Sequence, residues 1–425
     1  MKNIVVGGGI SGLLVAYELV KKGEEVIVIE KEKKIGGLLA TDTISQIPIE
    51  KFYHHIFKTD KKAIRLIKEL KLINKLKWFD SSMSIYFDGK FYPFRKPIDL
   101  INFKPISLLD RIRTGLVTLY LQKNKNGEKM ANIPAYLWIK KYGGNQSYEV
   151  IWKPLLVSKF GKYYKQISMT WLWGRIYLRA GSTEGQEEKL GYLVGSFGSI
   201  LDRLIKKIEQ KGGVIKTGIK VSKILRKKTG WEIRYNNVTI TADRIFVCTS
   251  NDQMAKMIGK NKNISLYNKL NQVKYIGAVN LLFSTKQDLT AYYWNNINDS
   301  QSPFVALVKH SQLVGKYNGN HIYYLGAYVS EKEDLFLKSN EQIQKIFFDY
   351  LKKICPKFNQ KEVIEVKIFK SNRAQQITDT NYSQKIVDIK TGVDNVYFLN
   401  FSQIYPWDRG LNWAIDKVDE LMELV

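Results

Sequence analysis

Lys2-Asn3-Ile4-Val5-Val6-Gly7-Gly8-Gly9-Ile10-Ser11-Gly12 begins the stretch, ending at Gly37, whose reading decides the fold. Lys2 to Val6 is a short apolar strand, and the glycine-rich run follows it without a spacer. Apolar residues at Leu13, Leu14, Ala16, Tyr17, Leu19 and Val20 predict a helix over 13–22, halted by Gly23. Residues 25–29 predict a second strand, closed by Glu30. Strand, glycine turn, helix and strand in this order form a dinucleotide-binding βαβ unit. Gly7 permits the tight turn, Gly9 lets the backbone approach a pyrophosphate, and Gly12 lets helix and strand pack closely. Ile10 and Ser11 lie in the glycine turn just before that helix, whose free N–H groups and positive dipole end face the phosphates. Glu30, with Lys31 beside it, is placed to accept hydrogen bonds from both ribose hydroxyls; a carboxylate there repels a 2′-phosphate, which disfavours NADP.

Five residues separate Glu30 from Gly36-Gly37-Leu38. This Glu-x5-Gly-Gly arrangement resembles the second half of the fingerprint in the FAD-dependent amine oxidase and protoporphyrinogen oxidase superfamily, which also includes phytoene desaturase and UDP-galactopyranose mutase. The resemblance implies FAD as cofactor. It implies an α/β fold: a discontinuous, Rossmann-like FAD-binding domain of glutathione-reductase type, beside a mixed α+β substrate domain with a helical insertion. In that superfamily a Val-x-x-Ile strand lies against the adenine end of FAD, and Val221 matches its valine. The C-terminal loop and helix cover the flavin there, so Asp408, Gly410, Leu411 and Asn412 are cofactor candidates. A position near Arg373 often faces the flavin, making that arginine a candidate catalytic residue. The Gly-Asp pair that often follows the last strand is replaced here by Asn400-Phe401.

Two of the four histidines are adjacent, in Tyr53-His54-His55-Ile56-Phe57-Lys58-Thr59. An adjacent pair with one ring in solvent and one in the core needs no chemistry, but this segment resembles the mutase stretch Gly-Ala-His-Ile-Phe-His-Thr beside the flavin. His55 matches the histidine there, a candidate catalytic residue, and His54, at the alanine position, is a substrate candidate. The likeness covers roughly 90 N-terminal residues and continues only as general architecture. The mutase's C-terminal Gly-Gly-Arg and Tyr-x-Tyr-x-Asp are absent, the chain reading Leu399-Asn400-Phe401-Ser402-Gln403-Ile404-Tyr405-Pro406-Trp407-Asp408. The same sugar substrate is therefore not expected, although Tyr405 remains a substrate candidate.

The segment 152–179 interleaves Lys153, Lys159, Arg175 and Arg179 with Tyr163, Tyr164, Trp171 and Trp173. Two readings are open: an anion site with charge pairing and stacking, in which Arg175 and Trp173 touch substrate, or helix-surface packing with snorkelling basic chains.

With 425 residues, 44% of them hydrophobic, the chain can bury a large core and divide into domains. The expected division is 1–80, 191–268 and 373–425 for the FAD-binding domain, and 81–190 and 269–372 for the substrate domain. No apolar run reaches the roughly 20 residues that span a bilayer, and the immediate start of the first strand leaves no room for a signal peptide. A cytoplasmic location is the expectation, with peripheral contact at the inner membrane face as an alternative. Cys248 and Cys355 lack metal or redox spacing and are expected buried and reduced, and no metal site is expected. The net charge of +27 attracts anions, yet its lysines are scattered in pairs and no nucleic-acid module is present, so nucleic acid is not an expected partner.

Helical periodicity is read at 62–72, 107–122, 132–142, 147–158, 199–210, 340–354 and 412–424. Strands are read at 84–87 and 90–94 around an Asp88-Gly89 turn, and at 214–217, 218–224, 231–235, 238–242, 244–249, 273–284, 303–309, 321–329 and 395–400. The 108–121 segment, with Arg111 and Arg113, suits either a membrane surface or packing inside a helical subdomain. The function expected is hydride transfer from a C–H bond of an anionic or phosphate-bearing small molecule to flavin N5. The alternatives are a redox-neutral mutase-type enzyme acting on a nucleotide- or lipid-linked sugar, and a membrane-binding module in which FAD is structural. Substrate, electron acceptor and oligomeric state are not legible.

Overall fold

Val214–Lys216, Glu25–Ile29, Lys2–Val6, Arg244–Val247 and Val396–Phe398 lie side by side, in that order, as a five-stranded parallel sheet gathered from three stretches of the chain. The computed structural model describes residues 1–180, 183–184, 187–235, 238–260 and 263–425. These strands read as continuous apolar runs because both faces of a parallel sheet are covered. Val5, Val26, Val28 and Phe246 face one core, shared with the helices Ile10–Lys21, Gly198–Gln210 and Leu411–Met422. Ile4, Val6, Ile29, Ile245 and Val247 face the other. That second core is closed by the antiparallel strands Val221–Arg226, Trp231–Tyr235 and Val238–Ala242 and the helices Asn251–Ile258 and Ile264–Gln272.

The second large sheet has seven strands in the order Val363–Gln376, Tyr275–Thr285, His321–Val329, Ala306–Lys309, Trp294–Ile297, Met83–Phe87, Lys90–Pro93. All its pairs are antiparallel except Trp294–Ile297 with Met83–Phe87. Asn340–Ile354 covers one face, burying Ile343, Phe347 and Leu351 against Leu281, Phe283 and Leu325. The expected turn at Asp88-Gly89 is present, both residues holding positive φ (47° and 77°), as a two-residue hairpin needs.

Helices between 97 and 180 form a third body around Phe103, Leu121, Ile139, Phe160, Trp171 and Trp173. The expected helix at 147–158 is split, a π-helical turn Tyr148–Trp152 preceding Lys153–Phe160. Among the described residues eight strands went unread in the sequence, including Ile56–Phe57, Leu76–Asp80, Thr183–Glu184 and Glu187–Leu193. Thr41–Ile44 and Ile47–Glu50 are short, Trp294–Ile297 carries two asparagines, and Val363–Gln376 is a half-exposed edge strand too rich in charge to show an alternating pattern. The last of these runs across position 372, so the first residues of the expected third FAD-binding segment, 373–376, complete the seven-stranded sheet.

Candidate active site and cofactor cradle

The glycine turn is shaped by backbone contacts that only glycine tolerates. A Cβ on Gly12 would lie 1.9 Å from the Gly7 carbonyl oxygen, and one on Gly36 would lie 2.8 Å from the Ala40 Cα. Gly7 itself has φ +113°. A Cβ on Gly9 meets no atom of the chain within 4 Å. Ile10, Ser11 and Gly12 fall inside the helix, which begins three residues earlier than its apolar spacing indicated, because the Leu13 N–H bonds the Gly9 carbonyl at 3.0 Å. Gly36 N–H donates to the Gly8 carbonyl at 2.9 Å, so the second glycine pair, with half-buried Leu38, is laid against the first.

Glu30 is buried at the end of the second strand and accepts the Gly8 N–H at 2.6 Å and the Glu32 N–H at 2.9 Å. A carboxylate has about four acceptor sites, so two remain. Lys31 is exposed and pairs with Glu32. The Ile219 N–H donates to the Glu30 carbonyl at 2.8 Å, which brings the start of the Val221 strand to the same edge. Open backbone at Gly9, an uncapped helix start and a spare pair of acceptors on Glu30 fit a dinucleotide pyrophosphate and ribose.

At the C-terminal end, Gly410 is the N-cap of Leu411–Met422, with no side chain capping that helix. The Asn412 side chain turns away to accept the N–H groups of Lys62 and Ala63 at 2.9 and 3.3 Å, capping the start of Lys61–Glu69. Asn400, where the superfamily often has Gly-Asp, accepts the Ser402 N–H and donates to the Thr249 carbonyl, tying the last strand to the turn after Arg244–Val247.

Lys159 and Arg175, from two different helices, both lie over the Trp171 ring, 5.2 Å from its centroid. Both also bond one oxygen of Asp408, Lys159 at 2.9 Å. Arg409 donates to the Gln375 side chain and to the Tyr328 hydroxyl at 3.3 Å. Tyr53, His54 and His55 adjoin this group: His54 Nδ1 donates to the Phe52 carbonyl, and His55 Nδ1 lies 3.3 Å from the Tyr293 hydroxyl. Tyr53 packs edge-on against Trp294 at 4.9 Å.

Burial and neighbouring charge together shift several groups here. Burial pushes Lys159 down to about 8, helped by Arg175 and opposed by Asp408. Burial works to raise the Asp408 carboxyl, but Lys159, Arg175 and Arg409 outweigh it and hold that group far below the carboxylate range. Burial likewise opposes ionisation of Tyr328, and Arg409 and Lys159 overcome it to lower the phenol. Burial lowers His54 to about 4, with Arg409 adding, and His55 to about 3, with Arg179, His54 and Arg175 adding. Both histidines are therefore neutral at pH 7, and His55 is a weak proton acceptor.

Several sequence candidates take up neighbouring positions. Trp173 is buried, donates from Nε1 to the Asn124 carbonyl at 2.8 Å, and packs between Tyr177 and Trp407. Tyr405 packs on Tyr382 at 5.5 Å. The Arg373 guanidinium makes a two-pronged pair with Asp252, at 2.7 and 2.6 Å, so its donors are held by the helix Asn251–Ile258. Tyr328, Gln375, Tyr293 and Trp294 were not singled out from the sequence; each sits on a sheet strand or in a loop whose residues carry no motif. Cys248 and Cys355 are free; Cys355 is buried as expected, whereas Cys248 is half-buried, and desolvation raises both thiols to about 12. Among the described residues no group of three or more His, Cys, Asp or Glu is arranged to hold a metal.

The model of the family described as flavin containing amine oxidoreductase matches residues 10–398. Amine oxidase [flavin-containing] B of Sus scrofa is 35% identical over 112 residues, 25% of this chain and 21% of that protein. The chain thus matches about one fifth of the length of that relative. A solved protein from Exiguobacterium sp. 255-15, described as a protoporphyrinogen oxidase, superposes with a TM-score of 0.80 at 16% identity, covering 100% of this chain and 98% of the other. Reduced UDP-galactopyranose mutase superposes with a TM-score of 0.76 at 13% identity, covering 100% and 96%. The cradle of Gly7, Gly9, Gly12, Glu30 and Gly36 fits FAD, the cofactor of this chain. The chain belongs to the flavin-containing amine oxidoreductase family.

Proposed function

We propose that this flavin oxidoreductase takes a hydride from a C–H bond of an anionic organic substrate, held beside the Trp171 ring by Lys159, Arg175 and Arg409, in a dinucleotide-binding domain of glutathione-reductase type. The observation that carries the reading is the convergence of these cations on a single carboxylate, Asp408. When bound, FAD supplies the oxidant, its N5 accepting the hydride. Asp408 uses one oxygen to fix Lys159 and Arg175 in place. An ammonium has three donors and a guanidinium five, so most remain for a substrate carboxylate or phosphate. Trp171 supplies a flat wall under both cations, and Trp407 of the C-terminal loop stacks on Trp413 at 5.2 Å. His54 and His55, being neutral, orient a polar substrate without adding charge. Lys159, titrating near 8, is the group here able to exchange a proton near neutral pH.

The second reading is redox-neutral chemistry on a nucleotide- or lipid-linked sugar, favoured by the Tyr53–Thr59 stretch with its uncharged histidine pair. Anaerobic stopped-flow mixing of oxidised holoenzyme with hydroxy acids, porphyrinogens and phosphorylated sugars separates the two. Bleaching of the flavin band within turnover time supports net oxidation. Turnover only after the flavin has been reduced beforehand, with no net electron transfer, overturns it in favour of the second.

A further inference from the structure

The helix Leu108–Lys123 is packed with a mixed side inward, two polar residues beside two apolar ones, and most of its apolar residues outward. It buries Asp110, Thr114, Val117 and Leu121, and it exposes Leu108, Leu109, Ile112, Leu116, Leu119 and Tyr120, each more than half accessible. Specific bonds hold this orientation. The Asp110 carboxylate accepts the N–H groups of Gln146 and Ser147 at 2.8 and 3.2 Å, and the Thr114 hydroxyl bonds the Ser147 hydroxyl at 2.6 Å. Rolling the helix to hide its leucines would strand those groups without partners.

The outward residues recur at three- and four-residue spacing, so they form one stripe along a helix roughly 24 Å long. Neighbouring elements widen it. Ile98 and Ile101 are more than half exposed on Pro97–Ile101, which packs alongside through Leu100. On the other flank Tyr120 stacks on Trp138 at 6.0 Å, Trp138 meets Tyr142 at 4.8 Å, and Leu137 is half exposed. A contiguous apolar face of this kind on a protein surface marks an interaction site.

Charge decides among occupants. Between positions 95 and 145 the chain has ten Lys and Arg against three Asp and Glu. Of the three acids, Asp110 is buried and Asp99 is engaged by the N–H groups of Arg95 and Lys96. Exposed Lys96, Lys104, Lys123, Lys140 and Lys141 stand around the stripe. Two copies of the chain joined through this face would bring two basic rims together, which like-charge repulsion opposes. An apolar stripe with aromatic residues at one end and a lysine rim matches an anionic lipid surface, where leucines enter the acyl boundary and ammonium groups stay among headgroups. No helix among the described residues is long and apolar enough to cross a membrane, so the element lies in the surface plane. We propose that this face docks the protein onto an anionic bilayer. The same helix packs against Met169–Ala180, which carries Trp173 and Arg175, so the docked face lies directly behind the candidate active site.

The test is sedimentation of the FAD-loaded full chain with phosphatidylcholine vesicles, and with phosphatidylcholine vesicles containing phosphatidylglycerol. The expected result is partition onto the anionic vesicles about tenfold or more above the neutral ones, falling as salt is raised. Combined Leu109→Glu, Leu116→Glu and Leu119→Glu should lower that partition by about tenfold or more while flavin content and melting temperature stay at wild-type values, since all three side chains are solvent-exposed. Wild-type protein that ignores anionic vesicles overturns the proposal, as does a triple variant that binds them undiminished. A lipid-free dimer in analytical ultracentrifugation that the triple variant converts to monomer also overturns it, assigning the face to a second copy. Because the readout needs no turnover, its outcome is separate from that of the hydride-transfer reading.

Discussion

Two glycines of the first turn differ in what a methyl group would meet. On Gly12 it would collide with the Gly7 carbonyl, so Gly12→Ala forces helix and strand apart. We expect a loss of about 1–3 kcal/mol in urea unfolding, together with loss of bound flavin. On Gly9 it would meet no atom of the chain. Gly9→Ala should therefore leave the flavin-free protein within about 0.5 kcal/mol of wild type and still lower the ratio of flavin to protein absorbance. A Gly9→Ala protein that purifies with full flavin would move the pyrophosphate elsewhere. Asp408 and Lys159 make opposite statements about pH. A carboxyl depressed in the folded state stabilises above its unfolded pKa, near 3.9, and that stability is lost as pH falls below it toward the folded value. Asp408→Asn should destabilise at pH 7 by about 3–5 kcal/mol, through cations left unpaired, and flatten the acid limb of the stability curve. Lys159 loses its charge as pH rises through about 8. The KM for an anionic substrate should then climb above that pH with kcat little changed, and Lys159→Arg, charged throughout, should abolish the climb. A wild-type KM that is flat from pH 7 to 9 would remove Lys159 from substrate binding.

At the scale of elements, most long amphipathic helices were legible, but Met169–Ala180, Asn251–Ile258 and Ile264–Gln272 were not read, and helix ends were seldom placed. Asn340–Ile354 was read to the residue, because Ser339 and Gln342 form a capping box that is visible as sequence. Lys61–Glu69 was read one residue late at its start and three too long at its end, because its N-terminal N–H groups are capped from Asn412, more than 300 residues away. No local pattern reports such a cap. Asn412→Ala should cost about 1 kcal/mol in urea unfolding, with Asn412→Asp retaining most of it. Loss of flavin beyond that stability change would mean that Asn412 also reaches the cofactor. The helix Leu108–Lys123 was found with its bounds displaced by one residue, yet the face it buries was not legible. Its inward side is decided by hydrogen bonds that Asp110 accepts, and Thr114 donates, across more than 30 positions of sequence.

For the whole molecule, the parallel sheet joins strands from residues 2–29, 214–247 and 396–398, so a ligand bound across it links distant parts of the chain. Removing FAD should lower the melting temperature of the entire molecule. Adding FAD back at a hundredfold excess over its Kd should restore about 2.7 kcal/mol, whereas FMN, which lacks the adenosine half that we propose Glu30 and Val221 meet, should not. Equal rescue by both would show that the Glu30 edge does not contact the cofactor. The net charge of +27 also has a molecular reading, since ten Lys and Arg against three Asp and Glu fall between positions 95 and 145, around the exposed apolar stripe.

By itself the sequence determined the βαβ unit, the cofactor class and the presence of most helices and strands. These rest on short-range patterns: glycines at fixed offsets, alternation in strands and three- and four-residue spacing in helices. Only the tertiary structure decided which of the scattered charges converge. Lys159, Arg175, Asp408 and Arg409 come from three elements and meet where Lys159 and Arg175 lie over the Trp171 ring and pair with Asp408 of the C-terminal loop. The structure likewise turned Arg373 toward Asp252 and Leu108, Leu109, Leu116 and Leu119 toward solvent. A side chain's partner and face depend on contacts far apart in the chain, and those contacts leave no periodic trace in the residues that make them.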